Sequence, residues 1–208
     1  MNRNSMPSVA IAEDGWCSGV LREPSPNFDA RPDGVEIDLL VIHNISLPPG
    51  EFGGPYISDL FMNRLDCDAH PYFDQLRSLR VSAHFLIGRN GDVTQFVSTN
   101  ARAWHAGVSV FEDREKCNAF SIGIELEGTD FLPFASEQYE ALAMLTHALR
   151  VRHPLRNVMG HEHIAPGRKT DPGPFFDWVR YQEMVASALP DDRAEMLSFP
   201  FSHGKSPR

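Results

Sequence analysis

IDLLVIHNI, residues Ile37 to Ile45, is a run of branched apolar side chains broken only by Asp38 near its start and by His43 and Asn44 near its end. Branched side chains are stiff at χ1 and pack well on a pleated surface, so the run reads as a strand buried on both faces. Directly after it, LPPGEFGGP (Leu47 to Pro55) is too rich in proline and glycine to continue any regular element. Tyr56 to Leu65 reads as a short helix. Ala83 to Gly88 and Val93 to Val97 read as strands joined through Asn90-Gly91, a strong hairpin signal. SIGIEL (Ser121 to Leu126) alternates like another strand. Ser136 is a plausible helix N-cap, and Tyr139, Leu142, Thr146 and Leu149 recur at helical spacing up to His153-Pro154. Phe176 to Leu189 reads as a second amphipathic helix. Strands interleaved with helices predict an α/β fold, a single domain with a central mixed sheet flanked by helices. That domain is expected from Gly15 to Leu189. The stretch from Pro190 to Arg208, charged and without periodicity, is expected to be a mobile tail.

The composition limits function. The chain has 208 residues, 42% of them hydrophobic and 23% charged, enough for one globular core. Its net charge of −9 argues against nucleic acid and anionic membrane as partners, since both demand a basic face. No apolar run is long enough to span a membrane. The apolar stretch Val9 to Ala12 is cut off by Glu13 and Asp14, so no export signal is read and a cytoplasmic location is expected. Cys17, Cys67 and Cys117 are odd in number and form no CxxC pair, which suits a reducing compartment and excludes a thiolate zinc site. No obligate protein partner is inferred.

The chemistry concentrates in GHEHIAPGRKTDPGP, Gly160 to Pro174, a loop with three prolines and three glycines that carries His161, Lys169 and Asp171. A catalytic zinc takes three nitrogen or oxygen ligands and leaves one position open. His43 at a strand end, with one histidine and Asp171 from the loop, supplies such a set. HEHIA is not the HExxH of a zinc-protease helix, because its histidines are two apart and Pro166-Gly167 follow. His161 and His163 compete as ligand, and spacing does not choose between them. Glu125 and Glu127 share one side of their strand, and both are candidates for a proton carrier. Trp104 and His105, before Ala106-Gly107, suit the wall of a cleft. His84, inside an apolar strand, reads as a core or supporting residue.

VIHNISLPPGEFGGP (Val41 to Pro55), RAWHAG (Arg102 to Gly107), CNAFSIGIELEGTD (Cys117 to Asp130) and APGRKTDPGP (Ala165 to Pro174) resemble the AmpD family of zinc N-acetylmuramyl-L-alanine amidases. That family belongs to the superfamily of peptidoglycan recognition proteins. The similarity runs from about Gly15 to Trp178. It implies cleavage of the amide between 1,6-anhydro-N-acetylmuramic acid and L-alanine in small soluble muropeptides, during cytoplasmic recycling of the cell wall. It also implies zinc on His43, His161 and Asp171, Glu125 as the catalytic acid and Lys169 as a stabiliser of the transition state. Asn44, Arg80, Trp104 and Lys116 match substrate-contact positions. Relatives often carry arginine at the last of these, and lysine keeps the charge but lacks the two-pronged grip on a carboxylate. Two other readings are a binding module that holds peptidoglycan fragments without cutting them, and a periplasmic amidase acting on intact cell wall.

Overall fold

A computed structural model of the chain describes residues 9–188 and 197–200. Its centre is a six-stranded mixed sheet of β1 (Leu21–Arg22), β2 (Leu39–Ile45), β3 (Phe85–Ile87), β4 (Val93–Gln95), β5 (Ser121–Glu127) and β6 (Asn157–Gly160), in the spatial order β1-β4-β3-β5-β2-β6. The apolar run that starts at Ile37 enters the sheet at Leu39, and β2 lies beside β5 in parallel, with Leu39 opposite Ser121 and His43 opposite Glu125. All seven residues of β5 and the first five of β2 are buried. Burial on both faces accounts for the continuous apolar run of β2, whereas β5 alternates, with Ile122, Ile124 and Leu126 on one side and Ser121, Gly123, Glu125 and Glu127 on the other. The hairpin at Asn90-Gly91 joins antiparallel β3 and β4, and Gly91 takes the left-handed conformation (φ 84°) that the turn requires.

Side chains alternate across the two central strands and so divide the molecule. Leu40 and Ile42 of β2, with Ile122 and Ile124 of β5, pack in one cluster with Leu142, Leu145 and Leu149. Those leucines belong to helix α2 (Ser136–Arg152), which follows the shorter α1 (Tyr56–Phe61) in the chain. Tyr181 of helix α4 (Trp178–Ala188) lies in the same cluster, and its hydroxyl meets Thr146 Oγ1 at 2.6 Å. On the opposite face Leu39 and Val41 pack with Ala106, Cys117, Phe120 and Ile164. His43 continues that second row, just where the apolar packing ends.

Several expected boundaries are corrected. Helix α1 stops at Phe61 rather than Leu65, and α4 begins at Trp178 rather than Phe176, whose ring is buried in the core. Ser136 is not the cap of α2 but its first residue. The cap position is Ala135, and the helix start is closed instead by Gln138, whose Oε1 accepts the Ala135 N–H at 3.0 Å. The Gln138 amide also donates to the carbonyls of Glu127 and Ile87, at 3.0 and 3.3 Å, so it ties the helix to the ends of β5 and β3. Of the stretch expected to be a mobile tail, 190–196 and 201–208 lie outside the described residues. The part between corrects the expectation: Leu197 and Phe199 are buried, and Ser198 exchanges backbone hydrogen bonds with the β6 edge. Its alternating apolar pair is long enough to cover an otherwise open edge but too short to register as periodic. At the other end Val9 and Ile11 pack against the core, so the body begins before Gly15.

Candidate functional site

The site lies where parallel strands end, the usual place for function in an α/β sheet. Strand β6 pairs with β2 so that Gly160 stands opposite Ile42, and the next residue, His161, opens the single-turn helix α3 (His161–Ile164) beside His43. The loop after α3 returns to the same point. Its return is close enough that a Cβ on Gly160 would sit 2.6 Å from Pro172 Cδ, so glycine is required there. Glu162 N–H donates to the Asp171 carbonyl at 2.9 Å, which fixes the far end of the loop.

This folding brings His43, His161 and Asp171 together, with all three ligand atoms within 4.8 Å of one another. His43 Nδ1 and His161 Nδ1 are 3.0 Å apart, and each is 3.0 Å from Asp171 Oδ2. Tetrahedral ligands about 2.0–2.1 Å from a zinc ion stand roughly 3.3 Å from each other. The proton positions also fit. His161 Nε2 is 3.0 Å from the Ala106 carbonyl, which only accepts, so Nε2 carries the hydrogen and Nδ1 is a bare lone pair. A bare nitrogen facing a carboxylate oxygen calls for a cation between them. His43 is fully enclosed, and burial lowers its pKa to about 4, so its ring is neutral at pH 7, the form able to bind a metal. His163 is turned away. Its Nδ1 accepts the Gly160 N–H at 3.0 Å and its ring packs edge-on against Trp178.

The two strand glutamates separate as clearly. Glu127 spends both oxygens on the scaffold, one accepting from Gly53 N–H at 2.5 Å and the other from Arg89 N–H at 3.2 Å. Glu125 is buried and lines the cavity beside the triad. Its Oε2 has no hydrogen-bond partner among the described residues. Burial raises the Glu125 pKa well above the ordinary carboxylate value and the Asp171 charge adds to this, while Lys169 opposes it.

The cavity is about 620 Å³, and Asn44, Arg80, Trp104, His105 and Lys169 also line it. Asn44 donates through its amide to Asp130 Oδ1 at 2.7 Å and to the Pro172 carbonyl at 3.0 Å. Arg80 is exposed at the rim, with Nη1 donating to the Arg77 and Leu79 carbonyls. Lys116 is the exception: it is exposed in a left-handed conformation (φ 61°) and is not among the residues lining this cavity. His105 does line the cavity, yet both of its ring nitrogens are engaged by the protein, Nδ1 with His43 Nε2 at 2.9 Å and Nε2 with Ser121 Oγ at 3.2 Å. His105 thus lines the cavity while its ring joins the triad to Ser121.

The model of the N-acetylmuramoyl-L-alanine amidase family matches residues 33–174, a span that contains the triad, Glu125 and Lys169. The chain belongs to that family. Among curated members, the 1,6-anhydro-N-acetylmuramyl-L-alanine amidase AmpD of Citrobacter freundii is 54% identical over 188 residues, covering 89% of this chain and 99% of that protein. A crystal structure of a selenomethionine AmpD derivative is 56% identical with a TM-score of 0.81, over 83% of this chain and 98% of that one. Human PGRP-IBETAC, 18% identical over 85% of this chain and 93% of that one, has a TM-score of 0.52 and shares the amidase fold.

Four supports of this amidase site went unread in the sequence. Asn118 Oδ1 accepts the backbone N–H groups of His105 and Ala106, at 3.2 and 2.8 Å. Arg31 donates to the carbonyls of Asn118, Ala119 and Ser121, and Arg168 donates to those of Ala106 and Val108. Ser121 holds the His105 ring. Each is a lone polar residue whose partners are distant in sequence, so no local pattern marks it.

Buried neutral histidines make the protein acid-sensitive. His43, His84, His105 and His153 all have lowered pKa values, chiefly through burial. The unfolded chain takes up these protons near pH 6.5, before the folded one does. Their contribution to stability is thus complete above about 6.5 and is lost as the pH falls toward 4, at up to about 1.4 kcal/mol per pH unit for each group. Glu125 and Glu162 act in the opposite sense, since burial raises their folded pKa values. The lowered pKa values of His163 and Asp171 act with the four histidines, so the acid-sensitive groups outnumber the two glutamates. Urea unfolding of metal-stripped protein should give a lower midpoint at pH 5 than at pH 7, and an equal or higher midpoint would contradict these assignments.

Proposed function

We propose that this chain is a zinc-dependent amidase that cleaves the bond between N-acetylmuramic acid and L-alanine in small soluble muropeptides, with preference for the 1,6-anhydro sugar. The observation that carries the reading is the convergence of His43 Nδ1, His161 Nδ1 and Asp171 Oδ2, 3.0 Å apart, beside a buried Glu125 with an unpartnered oxygen. His43, His161 and Asp171 would hold the ion. When bound, zinc lowers the pKa of a coordinated water to about 7 and polarises a carbonyl oxygen.

The chain's own groups carry the proton and orient the substrate. Glu125, with its pKa raised by burial, accepts a proton from the attacking water and returns it to the nitrogen of the departing alanine. Lys169 offers an ammonium to the carbonyl oxygen as negative charge develops there. Asn44 and Trp104 shape the wall, the indole giving a flat surface for sugar or peptide. Arg80 grips a stem carboxylate at two points, a local attraction needed in a protein of net charge −9. All three ligand positions carry ligating side chains, which favours an enzyme over a binding module. Cytoplasmic recycling is the role implied by the family resemblance, and three free cysteines suit a reducing compartment.

Steady-state kinetics on anhydro and reducing-end muramyl tripeptides test the substrate. The anhydro form should have the higher kcat/KM, and intact sacculi should release almost no peptide. Arg80→Ala should raise KM more than Lys116→Ala does, with zinc content unchanged in both. Equal rates on the two sugars, or efficient digestion of sacculi, would favour an amidase of the intact wall instead.

A further inference from the structure

We propose that Ser121 and His105 form a one-way hydrogen-bond relay that holds His43 as its Nε2–H tautomer, so that Nδ1 remains a bare lone pair directed at the metal position. The inference deepens the zinc reading and rests on it only for the meaning of that position. Its direction is set at the far end, away from the triad. Ser121 Oγ lies 2.6 Å from the Cys117 carbonyl oxygen. Two oxygens that close repel unless a hydrogen lies between them, and a carbonyl has none to give, so the serine hydroxyl must donate to Cys117. Ser121 then has only lone pairs left for His105 Nε2, 3.2 Å away, and Nε2 must carry a hydrogen. A neutral imidazole has one N–H, which leaves His105 Nδ1 as an acceptor. His43 Nε2 is 2.9 Å from that atom and must donate to it. The same count applied to His43 leaves Nδ1 bare.

The reverse order fails at both ends. With the hydrogen on His105 Nδ1, the serine hydroxyl would turn to Nε2 and the contact with Cys117 would become repulsive. His43 would then carry its hydrogen on Nδ1, between the atoms that must bind a cation. Metal-bound histidines commonly set their tautomer by donating to a carboxylate or a carbonyl, both unconditional acceptors. Here the acceptor is another histidine, which needs a tautomer of its own, and Ser121 supplies the missing instruction.

The packing holds this relay in place. Gly123 stands between Ser121 and Glu125 on the same face of β5, and a Cβ there would lie 2.4 Å from His105 Cγ. Its φ is not in the left-handed region, so the glycine serves to admit the imidazole rather than to relieve the backbone. Asn118 fixes the backbone at His105, while Arg31 fixes the carbonyls of Asn118 and Ser121. Ser121 is fully buried and its role is positioning.

Long-range ¹H–¹⁵N NMR of histidine-labelled protein reads the tautomer directly, with zinc and after chelation. His43 should carry its proton on Nε2 in both states. Zinc affinity, measured by competition with a chromophoric chelator, should fall about 10- to 100-fold in Ser121→Ala and in His105→Leu. In stripped Ser121→Ala, His43 should also populate the Nδ1–H form. His105→Asn puts an amide oxygen near the Nδ1 position and should keep affinity within a few-fold of wild type. Thermal melts establish that each variant is folded. Nδ1–H on His43 in stripped wild type would overturn the proposal, as would unchanged zinc affinity in folded Ser121→Ala and His105→Leu. A wild type that binds no zinc would refute the metal reading, while the tautomer in that same protein would still decide the relay.

Discussion

Glu125→Ala is expected to lower kcat by about 10²- to 10⁴-fold while leaving one zinc per chain, the cost of removing a positioned acid/base. Glu125 meets two conditions for that role. It lines the cavity with an unpartnered oxygen, and burial lifts its pKa toward the working pH. Glu127→Ala provides the contrast, because Glu127 binds the backbone of Gly53 and Arg89 rather than facing the reacting groups. Its loss should lower the melting temperature and reduce turnover far less. A crippled Glu127→Ala with a nearly normal Glu125→Ala, both zinc-loaded, would reverse the assignment.

His161→Ala should lose both bound zinc and measurable turnover. Two ligand atoms remain in that variant, and a neutral imidazole with a carboxylate does not complete a three-ligand catalytic site. His163→Ala separates the two loop histidines. His163 accepts the Gly160 N–H in the manner of a helix cap, so its removal should cost about 1 kcal/mol of stability and leave the metal in place. Metal content by mass spectrometry distinguishes the variants. Zinc retained in His161→Ala and lost in His163→Ala would contradict the ligand set.

The central strands, the hairpin and the long helix were legible because each is specified locally. Branched apolar runs, Asn90-Gly91 and a helical repeat need no knowledge of distant residues. The ligand loop was legible for a related reason: a segment dense in proline and glycine has no core to fill, so its polar residues require another purpose. Choices between neighbours were not legible. His161 differs from His163 only because β6 registers Gly160 against Ile42, and Glu125 differs from Glu127 because Gly53 and Arg89 arrive from loops more than thirty residues away. Lys116 was singled out by its charge and motif position, which say nothing of the left-handed turn that places it, exposed, outside the residues lining the cavity. One signal was present and went unread. Gly123 lies inside a strand, and glycine there often marks the close approach of another group. Here that group is His105, and through it the ligand His43.

Mass spectrometry of a 1,6-anhydro-muramyl tripeptide digest tests the central claim most directly. The digest is run with zinc-loaded protein, with protein stripped by a chelator, and with stripped protein given zinc again. The account predicts free tripeptide and free anhydro-muramic acid in equal amounts in the first and third samples and intact substrate in the second. Undiminished cleavage by stripped protein, or cleavage at any bond other than the muramic acid–alanine amide, would contradict it.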